Sequence, residues 1–271
     1  MISIIITTYN RSDTVLESIN SALLFIRSDS SGEVIVVDDC SEDDTTEVLK
    51  SVYQLEIKSK RVKLVRLQYN LGVTGAKNSG ASIASNEWII FLDSDDVMFT
   101  ESAVEIYQDI IKFAPTSSII FFRSMSDSGK LIGRRINNFH ILTLNKYIQN
   151  GTYGEALPAI NKNIFLKYPY QIDLRGFEGI SYFRIIKNGY KAVLSPIIAR
   201  VYNESRNDRL SNPTSVKRRS KNLIRGYHLI LKEGHKSLSL FSLAVITAKI
   251  FLNVFRYVSY KLSYEKTRKP R

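Results

Sequence analysis

The chain has 271 residues, 44% of them apolar and 24% charged, enough to bury a real core in one large domain or two modest ones. Its single cysteine, Cys40, excludes an intramolecular disulfide and a cysteine-based zinc site. The net charge of +12 suggests a polyanion partner only until it is located: from Arg200 onward there are 17 Lys and Arg against 4 Asp and Glu, leaving 21 against 22 for everything before.

The first apolar run, Ile2 to Ile6, is too short for a signal peptide and lacks a basic leader and a cleavage site, so it reads as a buried strand of a cytoplasmic protein. Asn10-Arg11-Ser12-Asp13 then reads as the cap of a helix that carries Val15, Leu16, Ile19, Leu23 and Ile26 at helical spacing. Val34 to Val37 is the second run. Ser41-Glu42-Asp43-Asp44 follows as a second cap, with acidic residues in the first turn before Val48, Leu49 and Val52. Runs at Val62 to Leu67, Trp88 to Leu92 and Ser118 to Phe122 continue the alternation, which predicts βαβ units in an α/β fold with a mostly parallel sheet. The Gly-rich stretch from Asn70 to Gly80 enters a helix; it either exposes backbone N–H groups to an anion or only punctuates the helix start. It lacks the Gly-Lys-Ser/Thr ending of an ATPase loop.

Ligands of such a sheet sit beyond the carboxyl ends of its strands. Strand one ends in Thr7-Thr8-Tyr9-Asn10, strand two in Asp38-Asp39, and strand four in Asp93-Ser94-Asp95-Asp96. Carboxylates crowded at buried strand ends are tolerated when a cation or hydrogen-bond donors share the site. Asp93 and Asp95, two apart on an extended segment, point the same way and with Asp96 offer oxygen ligands to a hard divalent cation. Ser94, Asp95 or Asp96 also suits the N-cap of a helix over Val97 to Ile111. In the Asp38-Asp39 pair one carboxylate can brace the Ser41 turn while the other accepts hydrogen bonds from a base edge, with Tyr9 as a stacking ring.

These motifs, with Asn70-Leu71-Gly72 and Ala76-Lys77-Asn78 between the second and fourth, resemble the family 2 glycosyltransferases of GT-A fold, of the inverting, bacterial polysaccharide type. The resemblance implies a Rossmann-like sheet with helices on both faces and a nucleotide-diphospho-sugar donor, a UDP-sugar. It implies that Asp39 binds the uracil with Thr7, Thr8 and Tyr9 against the nucleoside, and that Lys77 and Asn78 lie by the donor. Asp95 would be the direct ligand of Mn or Mg, with Asp93 facing the ribose or the metal's water shell and Ser94 between them. Lys77 stands where relatives often have Arg, and neutralises phosphate as a point charge without the bidentate fork.

Single displacement needs one general base and stabilisation of the leaving diphosphate, but no protein nucleophile. The family's acidic residue before an aromatic, Arg-bearing helix corresponds to Glu178 in Phe177-Glu178-Gly179-Ile180-Ser181-Tyr182-Phe183-Arg184, with Asp173 as the fallback. That helix runs through Tyr182, Phe183, Ile185 and Ile186 to a C-cap at Asn188-Gly189. His140, His228 and His235 lie in no ligand-like spacing, and Val201-Tyr202-Asn203-Glu204 has no histidine where some relatives complete the metal site. Water or diphosphate oxygen is then the third ligand.

The expected division is 1–100 for the nucleotide-sugar subdomain, 101–205 for the acceptor-binding subdomain and 206–271 for a basic, amphipathic helical tail. On a helix from Leu238 to Leu262, Ser242, Lys249, Asn253 and Arg256 form one polar stripe. Lys249 interrupts the run too early for a bilayer span, so the expectation is a helix lying in the membrane plane at the inner face of the cell membrane, with Lys217, Arg218, Arg219, Lys221 and Arg225 drawn to anionic lipid. A hairpin packed on the catalytic domain, or on a second copy in a homo-oligomer, is the alternative. No motif supports nucleic acid. The acceptor expected from the resemblance is a glycan or lipid-linked glycan. Two rival functions remain: a sugar nucleotidyltransferase, which Thr7-Thr8-Tyr9-Asn10 does not suit, and a binding subunit that keeps the nucleotide pocket without the base.

Overall fold

The structure, a computed structural model, describes residues 1–203 and 213–268, with the side chains of 219–262 in the last two helices. Glu204, Lys217 and Arg218 from the sequence reading lie outside the residues whose side chains are described.

Four parallel strands form the N-terminal half of the sheet: β1 (Ile2–Thr8), β2 (Glu33–Asp38), β3 (Val62–Arg66) and β4 (Trp88–Asp93), in the spatial order β3-β2-β1-β4. Each expected run is a strand; β1, β2 and β4 reach one or two residues further into the polar ends than the apolar runs do, and β3 stops one residue short of Leu67. The helices α1 (Val15–Phe25), α2 (Thr45–Val52), α3 (Gln54–Lys58) and α4 (Gly72–Ile83) connect them. Alternation along β1 explains the layering. Ile2, Ile4 and Ile6 pack with Val15, Ile19 and Phe25 of α1 on one face, while Ile5 packs with Ala76 and Ala81 of α4 on the other. Gly80 sets how closely α4 approaches, because a Cβ there would stand 2.4 Å from Cγ2 of Ile5.

The remaining strands are β5 (Val97–Met98), β6 (Ile119–Ser126), β7 (His140–Leu142), β8 (Ala156–Asn161) and β9 (Ala192–Tyr202). They extend the sheet as β4-β8-β6-β9-β5, with β7 on β9. Here the pairing turns mixed: β8 is antiparallel to β4 and β6, whereas β6 and β9 are parallel. The helix expected over Val97 to Ile111 is a correction. Val97 and Met98 pair antiparallel with Val201 and Arg200 as a short strand, and α5 (Ala103–Phe113) begins only after that strand. The two first-turn caps also differ from expectation, since α1 and α2 begin after Thr14 and Asp44 without a side-chain cap bond. Asn10 instead takes a left-handed φ of 51° and braces the neighbouring loop, its Oδ1 accepting from the Glu42 N–H at 2.8 Å.

Helices α6 (Leu144–Asn150), α7 (Lys162–Lys167) and α8 (Gly179–Lys187) cover the second half. The last, α8, is the helix predicted around Tyr182, and it closes at Gly189 with φ of 87°. The chain ends in an antiparallel pair, α9 (Pro213–Gly234) and α10 (Leu240–Arg268), that packs on α6 and α8 through Ile148, Phe177, Ile180, Phe183, Ile230 and Ile246. The polar stripe of α10 is turned inward. Ser242 and Asn253 are buried, Ser242 Oγ donates to Asn145 Oδ1 at 2.8 Å, and Lys249 Nζ donates to the Ile148 carbonyl at 3.1 Å. What faces outward is apolar: Leu240, Phe241, Phe251, Phe255 and Leu262 are all exposed.

Candidate active site

Between β1 and β4 the strand order reverses, and a crevice opens there at the carboxyl ends of the strands. The register brings the predicted residues together. Thr8 lies opposite Asp38 across β1 and β2, and Thr7 lies opposite Asp93 across β1 and β4. A cleft of about 760 Å³ is lined by Thr7, Thr8, Tyr9, Asp39, Lys77, Asp93, Ser94, Asp95 and Glu178.

Asp38 and Asp39 divide their work as their positions dictate. Asp38 is fully buried and its Oδ1 accepts from the N–H and Oγ of Ser41, at 2.9 and 2.5 Å. It fixes the turn. Asp39 faces the cleft, with Oδ1 accepting from the Leu71 N–H at 2.7 Å, and burial holds its carboxyl above the ordinary range. The buried Thr8 hydroxyl beside it has no hydrogen-bond partner among the described residues, so it is available to a ligand. Tyr9 is 39% exposed at the rim.

Each carboxylate of Asp93, Asp95 and Asp96 has a basic partner. Lys77 Nζ lies 2.7 Å from Asp93, Arg11 Nη1 3.3 Å from Asp95, and Arg200 Nη1 3.0 Å from Asp96. Burial disfavours both charges of the Lys77–Asp93 pair, but the pairing outweighs it: Asp93 and then Glu178 keep the lysine above its usual range, while Lys77, Arg200 and Arg11 keep the aspartate below its own. Asp96 sits under the turn, 2% exposed, where burial first and the neighbouring Asp93 and Asp95 next push its carboxyl up to about 7. Its Oδ1 accepts from the Asn203 N–H at 3.2 Å. Asp96 also lines the cleft but is the most buried of the three acids, and through Arg200 and Asn203 it braces the turn after β4 to β9. Asp93 and Asp95 open onto the cleft.

Two expectations are not met by the geometry. Asn78 is not a cleft residue: its Nδ2 donates to the Tyr170 carbonyl at 2.9 Å and its Oδ1 accepts from the Tyr170 N–H at 3.0 Å, which staples α4 to the segment before α8. Asp173 is on the surface, ion-paired with Arg225 at 2.5 Å, and lies away from the cleft. Glu178 does line it, at the start of α8 and facing Tyr147, Tyr170 and Tyr182. The three histidines lie elsewhere.

The cleft also holds Arg11, Glu155, Arg175 and Arg200, which the sequence reading did not select, and Arg219, which it had assigned to anionic lipid. Arg11 sits one residue after the Thr7-Thr8-Tyr9-Asn10 end, so proximity alone could have found it. Arg200 is carried by a strand whose pairing is not readable from pattern, and Arg219 by a helix distant in sequence. Arg219 Nη1 donates to the Gly176 carbonyl at 3.1 Å. The loop before Glu178 is thereby gripped from α9, and Gly226 opens a notch for Phe177, since a Cβ there would stand 2.2 Å from its ring.

Asp93 and Asp95 are hard oxygen donors suited to Mg or Mn, ions that bind through one or two carboxylates and keep other positions for water and phosphate. Among the described residues no group of three His, Cys, Asp or Glu side chains could hold a metal ion. The residues present fit a divalent ion only jointly with ligands from a bound diphosphate.

A doubly wound sheet with an Asp-x-Asp turn at its switch point and a carboxylate facing it across the cleft is that of a GT-A glycosyltransferase. The family model for "Glycosyl transferase family 2" matches residues 3–169, and the chain belongs to that family and is a glycosyltransferase. It is 30% identical over 196 residues to the Escherichia coli UDP-Glc:alpha-D-GlcNAc-diphosphoundecaprenol beta-1,3-glucosyltransferase WfaP, covering 70% of this chain and 67% of that one. It is 27% identical to the putative teichuronic acid biosynthesis glycosyltransferase TuaG of Bacillus subtilis, over 57% of this chain and 59% of that one. Among solved structures, Staphylococcus aureus TarS in complex with UDP-GlcNAc superposes with a TM-score of 0.69 at 17% identity, over 94% of this chain and 73% of that one. The mannosyltransferase PcManGT from Pyrobaculum calidifontis, in complex with GDP-Man and Mn2+, gives 0.67 at 15%, over 100% and 76%. These two likenesses are of fold.

Proposed function

We propose that the protein transfers a sugar from a UDP-sugar to a hydroxyl of a glycan or lipid-linked glycan, with inversion and in a single displacement. The observation that carries this reading is the meeting of Asp39, Lys77, Asp93, Asp95 and Glu178 on one cleft at the sheet's switch point. Asp39 and the Thr8 hydroxyl read the nucleoside, Thr7 and Ser94 line its floor, and the Tyr9 ring covers it. Lys77 holds the diphosphate. Asp95, with Asp93, would hold Mn or Mg, which supplies charge neutralisation for the departing diphosphate. Glu178 takes the proton from the acceptor hydroxyl as its oxygen bonds to the anomeric carbon, and the bond to the diphosphate breaks with its electron pair leaving on oxygen.

Relatives named for sugar-diphospholipid and teichuronic acid work support a glycan or lipid-linked acceptor. The Leu240–Leu262 segment is long and apolar enough to cross a membrane by length and composition. Its polar stripe is packed on protein, however, so lipid can meet one side only, which favours a helix lying in the interface of the inner leaflet. The site assignment is tested with Asp95→Ala and UDP-sugar hydrolysis in Mn. The expected outcome is loss of metal-dependent donor binding and of turnover; turnover equal to that of the unsubstituted protein defeats the assignment.

A further inference from the structure

The three acids of the strand-four turn are all engaged by cations of the chain itself, and these cations differ in how far they are exposed. Arg200 is fixed: its side chain is 6% exposed, Nε donates to Ser124 Oγ at 3.1 Å, and the guanidinium also faces Glu155 at 3.5 Å and the Tyr202 ring at 4.9 Å. Lys77 projects from buried α4 with its side chain 10% exposed. Arg11 is the most exposed of the three at 26%, and it reaches Asp95 and, at 3.2 Å, Ser94 Oγ from the loop after β1. That loop is itself braced. The Asn10 N–H donates to Ser41 Oγ at 2.9 Å and the Arg11 N–H to Thr45 Oγ1 at 3.1 Å, so the backbone that carries the guanidinium is anchored beside the cleft.

We propose that Arg11 is a built-in stand-in for the divalent ion, holding Asp95 while the cleft is empty and passing to the donor's diphosphate when the ion arrives. The inference rests on the metal and donor reading above and adds an order to it. An ion at Asp95 meets a guanidinium already within 3.3 Å of that carboxylate, and like charges so close repel. A diphosphate removes the conflict, because its oxygens attract the guanidinium and complete the ligand set that Asp93 and Asp95 leave open. Metal and nucleotide then bind with positive coupling, and Arg11 carries part of that coupling. The bridge also keeps the paired carboxylates neutralised between turnovers, when no ion is present.

The experiment is Mn2+ titration of the full chain, followed by electron paramagnetic resonance of free Mn2+, without and with saturating UDP, and with GDP in parallel. Arg11→Met keeps the length of the stem and removes the charge; Arg11→Lys keeps the charge; circular dichroism and thermal melts check that both fold. Without nucleotide, Arg11→Met is expected to take Mn2+ about two- to fivefold tighter than the unsubstituted protein, the scale of a partly exposed ion pair. The strengthening of Mn2+ binding by UDP is expected to shrink by a similar factor, with Arg11→Lys close to the unsubstituted protein. Equal or weaker Mn2+ binding by Arg11→Met without nucleotide overturns the stand-in role. If UDP and GDP both leave Mn2+ binding to the unsubstituted protein unchanged, the metal reading itself fails, and this inference with it.

Discussion

The two walls of the cleft are built differently. The donor wall is made of strand ends: Thr7, Thr8, Asp39, Asp93 and Asp95 take their positions from the parallel register of β1, β2 and β4, which the buried Ile and Val runs enforce along their whole length. The opposite wall includes a loop, Arg175 to Glu178, that belongs to no strand. Tyr147 Oη donates to the Gly179 carbonyl at 3.1 Å from one side, while Arg219, Gly226 and Tyr227 of α9 grip Gly176 and Phe177 from the other. Binding groups thus sit on the rigid scaffold, and the proposed base sits on an element whose placement depends on the C-terminal hairpin.

That contrast predicts separable failures, and the largest belongs to the base. Glu178→Gln keeps the shape of the wall and removes the proton acceptor, so turnover is expected to fall about a hundredfold or more while UDP affinity measured by calorimetry stays within error. A rate near that of the unsubstituted protein would remove Glu178 from the mechanism. Asp173 would not inherit the role, being on the surface and tied to Arg225.

A smaller effect is expected from the notch that seats the loop. Gly226→Val pushes on the Phe177 ring and costs about 1–3 kcal/mol, which at this chain length lowers Tm by roughly 2–6 °C. Turnover should fall more than UDP binding does. Adding Phe177→Ala to Gly226→Val should cost less than the two changes separately, since the clash disappears with the ring. Strict additivity would show that α9 does not seat the loop, and the two walls would then be equally independent of the hairpin.

The donor wall was the legible one for the same physical reason that it is rigid. Apolar runs of strand length with polar ends specify a parallel sheet and the edge at which a ligand sits, so Asp93, Asp95 and the Asp38-Asp39 pair could be selected from pattern, while the choice of Asp39 within the pair came from the family resemblance. Asn78 shows the limit: its motif lies on α4, but which side of the helix faces the cleft depends on Tyr170, far along the chain. Arg200 was invisible, and Arg219 was assigned to lipid, because the pairing of β9 and the docking of α9 join segments that no local period links. The orientation of the α10 stripe was out of reach on the same account, although packing of the hairpin on the catalytic domain was one of the two readings. A polar stripe on an apolar helix normally marks the solvent side, yet Asn145, Gln149 and the Ile148 carbonyl of α6 supply partners that draw the stripe inward.

The inward stripe sharpens the membrane reading into the smallest of these tests. With Ser242, Lys249 and Asn253 packed on protein, the face left outside presents Phe251 and Phe255, 68% and 71% exposed, a surface that water penalises and lipid accepts. Phe255→Ser alters this face and touches neither wall of the cleft. Co-sedimentation with vesicles rich in anionic lipid is expected to weaken about five- to tenfold, the share of a phenylalanine's burial that an interface returns, while turnover on a soluble acceptor is unchanged. Equal pelleting of both proteins, with a change of oligomeric state in light scattering, would assign the apolar face to a second copy of the chain. The hairpin would then join the proposed base to a neighbouring subunit and not to a bilayer.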